Sequence, residues 1–91
     1  MTRVIAILTV DPDKKQDLIA AARPAIEATR QEEGCISYDL YESVSEPTKL
    51  AFVEEWDSAD RLPGHSKTDH MRSFGRVAVQ CFTAPPEINI I

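Results

Sequence analysis

Both histidines and the only tryptophan of the chain lie in one short segment, EEWDSADRLPGHSKTDH, at residues 54–70. A histidine exchanges a proton near neutral pH, so a histidine in a cavity can act as a base or as a hydrogen-bond donor. Glu54 adds a carboxylate two positions before Trp56. These residue types suit acid–base chemistry on a small molecule. The alternative for His65 and for His70 is a structural role in packing or in a local cap.

The spacing of the two histidines argues against a metal site. On one continuous helix, five positions correspond to a rotation of about 140°, so the two rings would not share a face as an i, i+4 pair does. No third ligand is evident, and Cys35 and Cys81 lie far apart without a metal-binding spacing. The chain also lacks a glycine-rich phosphate loop and a nucleophile elbow. The sequence therefore predicts no metal and no bound nicotinamide or flavin, and it predicts two buried thiols.

Aromatic residues alternate with a carboxylate along the segment LAFVEEW. In a strand, Phe52, Glu54 and Trp56 share one face. If that face is internal, Glu54 needs a partner or a raised pKa; otherwise it lies near a wet rim or pairs with an arginine. Tyr38 and Tyr41 lie on opposite faces of the preceding strand, so at most one of them faces any given cavity. Ordinary packing at a sheet surface is the alternative for both tyrosines.

The elements that must position these residues are four strands and three helices. The strands are predicted at 3–10, 35–43, 49–56 and 87–91. The first helix is predicted at about 13–32, with a kink at Pro24. A short helix capped by Asp57-Ser58 follows the third strand and is ended or bent by Pro63-Gly64, and a capping box of Ser66 and Asp69 opens the last helix. The last helix carries Met71, Phe74, Val77, Ala78 and Cys81 on one apolar face.

The order β-α-β-β-α-β predicts an α+β, ferredoxin-like fold, with a four-stranded antiparallel sheet and the helices on one of its faces. The first strand is nevertheless apolar on both faces. A second copy of the same sheet would cover the bare face, so the sequence predicts a homodimer.

The chain has 91 residues, which predicts a single domain over residues 1–91. The formal net charge is -5, and basic residues are scattered among acidic ones, so nucleic acid and anionic membrane are excluded as expected partners. The N-terminal run VIAILTV is too short for a membrane span and lacks the cleavage site of a signal peptide. The expected location is the cytoplasm.

The segments EEGCISYDLYES and EPTKLAFVEEWDS, followed by a histidine nine positions after the tryptophan and another five later, resemble the antibiotic biosynthesis monooxygenase family. The likeness covers nearly the whole chain and is closest to short bacterial members described as quinol monooxygenases. Trp56 and His65 match the motif of the family, and His70 matches a recurrent histidine at the start of the last helix. The resemblance implies a dimeric α+β barrel with a pocket between sheet and helices in each subunit.

The resemblance also implies an activity. Members of this kind oxidise phenols or quinols with molecular oxygen and without metal, flavin or haem. We therefore expect His65 and Trp56 to be catalytic. The expected substrate contacts are His70, Glu54, Tyr38, Tyr41, Phe52 and Phe74.

Two departures from the family qualify these expectations. Pro63-Gly64 interrupts a helix that is usually unbroken before His65. Haem-degrading relatives carry an asparagine on the first strand, which this chain lacks, and a haem-ligating histidine whose position falls near Gly75. Haem degradation is therefore disfavoured. An isomerase of a small oxygenated metabolite and a non-catalytic dimer that binds a small ligand remain as alternatives.

Overall fold

The computed structural model describes all 91 residues and confirms the predicted α+β fold. The strands are β1 (Thr2–Thr9), β2 (Cys35–Glu42), β3 (Lys49–Trp56) and β4 (Glu87–Ile90), and the helices are α1 (Lys15–Thr29), α2 (Leu62–Ser66) and α3 (Asp69–Cys81). Short 3-10 turns at Pro12–Lys14 and Ala59–Arg61 lead into α1 and α2. No helix has the length and apolar character needed to cross a membrane.

The sheet has the order β2-β3-β1-β4, and every neighbouring pair is antiparallel. The alternation of β3 is as predicted: Phe52, Glu54 and Trp56 are all buried on the inner face, against the helices. The register places Glu54 beside Val4 on one side and beside Tyr38 on the other. A carboxylate is thereby held in the middle of an otherwise apolar core.

The first helix is shorter than the sequence predicts. It ends at Thr29 rather than near Glu32, and the chain then turns through Gly34, whose φ of 88° favours glycine. The backbone carbonyl of Gly34 accepts a hydrogen bond of 2.9 Å from the backbone N–H of Asp57. This contact ties the turn to the end of β3 and brings Glu32 next to the segment that contains both histidines.

The predicted helix boundaries around the histidines were wrong in two respects. Pro63 lies in the first turn of α2, where its missing N–H costs no hydrogen bond, so the Pro-Gly pair begins this helix rather than ending it. The cap of α3 is Thr68, whose hydroxyl accepts from the backbone N–H of Met71 at 3.3 Å. The hydroxyl of Ser66 instead donates to the carbonyl of Leu62. His65 therefore belongs to α2 and His70 to α3.

The outer face of the sheet has no covering layer within the chain. Ile5 pairs with Val53 on this face, and Tyr41 on β2 is 56% exposed there. On the inner face, Ile88 and Ile90 of the edge strand β4 are also mostly exposed, although they pair with the buried Ala6 and Val4. The homodimer that the sequence predicts stays a prediction.

Candidate active site

A cavity of about 450 Å³ lies between the inner face of the sheet and helices α2 and α3. Twelve of its 17 lining residues are hydrophobic, and it opens beside β4, where Ile88 and Ile90 line it. Small-molecule sites in proteins typically enclose ~300–1,000 Å³ behind mostly apolar walls. Five of the predicted site residues line this cavity: His65, Glu54, Tyr38, Phe52 and Phe74.

Four of these side chains form a connected aromatic wall. The ring of Phe52 lies 5.2 Å from that of Tyr38 and 5.5 Å from that of Phe74, the second contact being edge-to-face. Tyr38 in turn meets the imidazole of His65 at 5.4 Å. The phenol of Tyr38 is buried, and its hydroxyl lies 3.8 Å from the sulfur of Met71. Burial raises the pKa of Tyr38, and the nearby carboxylate of Glu54 raises it further, so this phenol stays protonated.

His65 is 6% exposed, and its orientation is set by a residue that the sequence did not single out. Oε2 of Glu32 lies 2.8 Å from Nδ1 of His65 and 2.8 Å from Nε2 of His70. Because a carboxylate accepts hydrogen bonds, we infer that both ring nitrogens donate to this oxygen. Neutral His65 therefore carries its proton on Nδ1 and keeps the lone pair of Nε2. Nε2 makes no hydrogen bond to the protein and is not fully enclosed.

Glu54 is 6% exposed and accepts a hydrogen bond of 3.0 Å from the indole N–H of Trp56. Burial raises the pKa of this carboxyl, whereas the hydrogen bond from Trp56 and the proximity of His65 act in the opposite direction. The hydrogen-bond partner of the Glu54 carboxyl is thus the indole of Trp56, rather than an arginine or bulk water. The cavity holds one group, His65, that can accept a proton and another, Glu54, whose surroundings favour keeping one.

Three predicted site residues do not line the cavity. Trp56 is fully buried, and its ring centre lies 4.9 Å from that of His65, so it packs against the histidine. His70 contacts Glu32 outside the cavity, and Tyr41 lies on the outer face of the sheet. Within one chain, Trp56 contacts Glu54 and His65, which line the cavity, and His70 is linked to His65 through Glu32. The functional roles of Trp56, His70 and Tyr41 stay predictions.

Glu32 is the main residue of the candidate site that the sequence did not single out. Its neighbour Glu33 has the same chemistry, but the Glu33 side chain is 88% exposed and lies 3.8 Å from Arg61. The only signal in the sequence was an acidic pair directly before Gly34. That pair alone does not show which carboxylate turns inward, and Glu32 was predicted to end the helix. The structure also supplies the third potential metal ligand that the histidine pair lacked in the sequence.

A sequence model of the family described as "Antibiotic biosynthesis monooxygenase" matches residues 1–77, which include every polar residue of the site. The chain is 36% identical over 83 residues to "Uncharacterized protein sll1783" of Synechocystis; the match covers 91% of this chain but 56% of that protein, so this chain spans little more than half of it. It is 32% identical over 88 residues to "Putative monooxygenase Rv0793" of Mycobacterium tuberculosis, which covers 97% of this chain and 86% of the relative.

Among solved structures, a conserved protein from Methanosarcina mazei superimposes with a TM-score of 0.94 at 34% identity, over 99% of this chain and 89% of that one. The similarity extends through the sheet and all three helices, so the elements that carry the cavity and the Glu32–His65–His70 cluster lie within the matched region.

Proposed function

The chain belongs to the antibiotic biosynthesis monooxygenase family, and we propose that it oxidises a small phenol or quinol with molecular oxygen and without a cofactor. The name of the Mycobacterium tuberculosis relative supports a monooxygenase activity. The apolar, aromatic cavity supports a flat aromatic substrate. The observation that carries the proposal is the orientation of His65, whose free Nε2 belongs to a residue that lines the cavity.

The first step in this proposal is removal of a proton from the substrate. Glu32 holds the proton of His65 on Nδ1, so Nε2 accepts the proton of a phenolic hydroxyl in the cavity. The histidine that forms is a cation stabilised by the carboxylate of Glu32. The phenolate is a much stronger reductant than the phenol, because its negative charge raises the energy of the electron that must leave.

The second step transfers electrons to oxygen. A phenolate passes one electron to molecular oxygen; the resulting radical pair then combines at a ring carbon to form a peroxide anion, which takes the proton back from His65 and becomes a hydroperoxide. Loss of water from the hydroperoxide leaves a quinone. Overall, one phenol and one oxygen molecule give one quinone and one water, so the substrate supplies all four electrons and no external reductant is needed.

The cavity contributes to this chemistry by excluding water and by orienting the substrate. Its apolar wall removes the water that would solvate the phenolate and the radical pair. Glu54, whose protonated form burial favours, donates a hydrogen bond to a second oxygen of the substrate. The indole of Trp56 fixes one carboxyl oxygen of Glu54, which leaves the other to point at the ligand.

A homodimer joined through the outer faces of the two sheets is part of the proposal. Ile5, Ile7, Val53 and Tyr41 share this face without a covering layer. Pairing two such faces removes apolar area from water, the main favourable term in association. It also makes rigid the sheet on which Glu54 and Tyr38 stand.

An oxygen electrode tests the proposal with chelator-treated protein and a panel of phenols, quinols and naphthols. We expect oxygen uptake that depends on both protein and substrate, with one water and one quinone formed per oxygen molecule consumed. Turnover without oxygen uptake would favour an isomerase. Saturable binding to the cavity without turnover of any compound would favour a ligand-binding protein. Either outcome would overturn the proposed oxygenase.

A further inference from the structure

The ligand atoms of Glu32, His65 and His70 all lie within 4.8 Å of one another. We propose that this cluster is a binding site for a divalent transition-metal ion of the zinc type. Two imidazole nitrogens and one carboxylate oxygen are a common donor set for zinc, cobalt and nickel ions. Three protein ligands leave at least one coordination position for water, as in open zinc sites.

The break between α2 and α3 makes this arrangement possible. On a single straight helix the two histidines would diverge, but His65 belongs to α2 and His70 begins the next helix. Their ring centres are consequently 6.3 Å apart, and Glu32 reaches between them from the turn that follows α1. The three ligands therefore come from three separate segments that the core holds in place.

The ligand atoms lie near the spacing that a tetrahedral zinc ion needs and must shift to reach it. Bonds of ~2.0–2.2 Å to a tetrahedral zinc ion place its ligand atoms ~3.3–3.5 Å apart. The two nitrogen–oxygen distances are 2.8 Å, so each must lengthen by roughly half an ångström. The ligand nitrogens of the two histidines, which lie within 4.8 Å of each other, must also approach to this spacing, so both rings and the Glu32 side chain adjust when an ion binds. The side chains of Glu32 and His70 are 17% and 22% exposed, which gives an ion a path from solvent.

The position of the site indicates its consequence. Glu32 and His70 do not line the cavity, and the ion would bind Nδ1 of His65, on the opposite edge of the ring from Nε2. The ion therefore lies behind the cavity wall and cannot contact a substrate there. With Nδ1 bound to a metal, the remaining proton of a neutral imidazole is on Nε2. Nε2 then donates a hydrogen bond and no longer accepts a proton.

A bound ion would thus inhibit the oxygenase by reversing the tautomer of its base; this consequence, but not the binding itself, rests on the proposed function.

Zinc binding to the full chain is measured by isothermal titration calorimetry with zinc chloride. The fluorescence of Trp56 provides a second readout that needs no substrate, because this single tryptophan lies 4.9 Å from the His65 ring.

We expect one zinc ion per chain and a change in tryptophan fluorescence that saturates at the same ratio. Glu32→Gln and His70→Ala should weaken binding by more than the roughly 10–100-fold that loss of an outer hydrogen-bond partner costs. Glu33→Gln removes an equal charge from the neighbouring, exposed position and should bind zinc like the wild type. Circular dichroism of each variant verifies the fold.

Equal zinc affinity in wild type, Glu32→Gln and His70→Ala would overturn the site, as would the absence of saturable binding to the folded wild type. If zinc does not bind but quinol-dependent oxygen uptake persists, the metal site fails and the proposed function stands. If zinc binds at one per chain but no compound supports oxygen uptake, the metal site stands and the proposed function fails.

Discussion

Oε2 of Glu32 lies 2.8 Å from Nδ1 of His65, although 33 positions separate the two residues in the sequence. This contact orients the imidazole and determines which of its nitrogens carries the proton. It assigns Glu32 the part of a positioning residue: it does not touch the cavity, yet the lone pair that the cavity presents depends on it.

Glu32→Gln should lower kcat of the proposed oxygenase while changing KM little, because an amide keeps the shape of the carboxylate but has no negative charge with which to stabilise a histidine cation. A loss of roughly 10–10²-fold is expected, smaller than the ~10²–10⁴-fold that removal of a positioned base costs. Steady-state oxygen uptake measures both constants. Glu33→Gln serves as the control and should leave both near wild type; a wild-type kcat in Glu32→Gln would contradict the assignment.

The cavity can be filled without touching any polar residue of the site. Gly75 of α3 lines the cavity, and a Cβ atom built on it meets no atom within 4 Å. Gly75→Leu should therefore place a side chain where the substrate binds, and kcat/KM should fall by roughly 10²-fold, the cost of misplacing a substrate by about 1 Å.

Gly64→Leu is the matched control, because Gly64 is also helical and unobstructed but lies outside the cavity. Both substitutions gain helix propensity of up to about 1 kcal/mol, so neither should lower the melting temperature. Equal activity of the two leucine variants would show that the substrate does not use this cavity.

The buried carboxyl of Glu54 should make stability depend on pH. Burial raises its pKa above the ordinary value of 4.5, so the folded state binds the proton more tightly than the unfolded state does. The resulting stabilisation is fully present below about pH 4.5 and is lost as the pH rises through the folded pKa, at about 1.4 kcal/mol per unit of difference. A glutamine side chain does not titrate, so Glu54→Gln removes this loss of stability. The free energy of unfolding of the variant relative to wild type should therefore increase from about pH 4 to about pH 7.

Glu55→Gln is a control of opposite sign. Hydrogen bonds from Arg3 and Ser37 lower the pKa of this partly exposed carboxyl, so its stabilisation is present above the unfolded pKa and is lost in acid. Its stability relative to wild type should therefore decrease as the pH rises. Urea unfolding at a series of pH values measures both trends. Parallel trends in the two variants would contradict the account of Glu54.

The outer face of the sheet carries apolar residues without a covering layer, so we expect a homodimer. Light scattering at micromolar concentration should report twice the chain mass of 10.2 kDa. Val53→Asp places a charge on that face and should yield monomers. Val79→Asp changes the same residue type at a position 67% exposed on α3 and should leave the dimer intact. A wild-type monomer with native circular dichroism would contradict the prediction.

The alternation of apolar residues in β1 and β3 was sufficient to predict the strands. The apolar face of the last helix predicted the burial of Phe74, Ala78 and Cys81, whereas Val77 is exposed. The local sequence did not predict which residue takes a given role where two neighbouring residues have the same chemistry. Thr68 and Ser66 are both suitable caps, and Glu32 and Glu33 are both acidic; in each pair, contacts made elsewhere in the chain decide. Glu32 meets the histidines because of the turn at Gly34 and the break between α2 and α3. The periodicity of apolar residues does not predict how these two features place the three side chains relative to one another.

The central claim is that Nε2 of His65 takes the proton of the substrate, and oxygen uptake by His65→Ala tests it most directly. The assay uses the best phenol or quinol of the panel, and thermal melts of the variant verify its fold. We expect kcat to fall by roughly 10²–10⁴-fold with the fold retained. Wild-type turnover by a folded His65→Ala protein, or a loss of turnover explained by unfolding alone, would contradict the account.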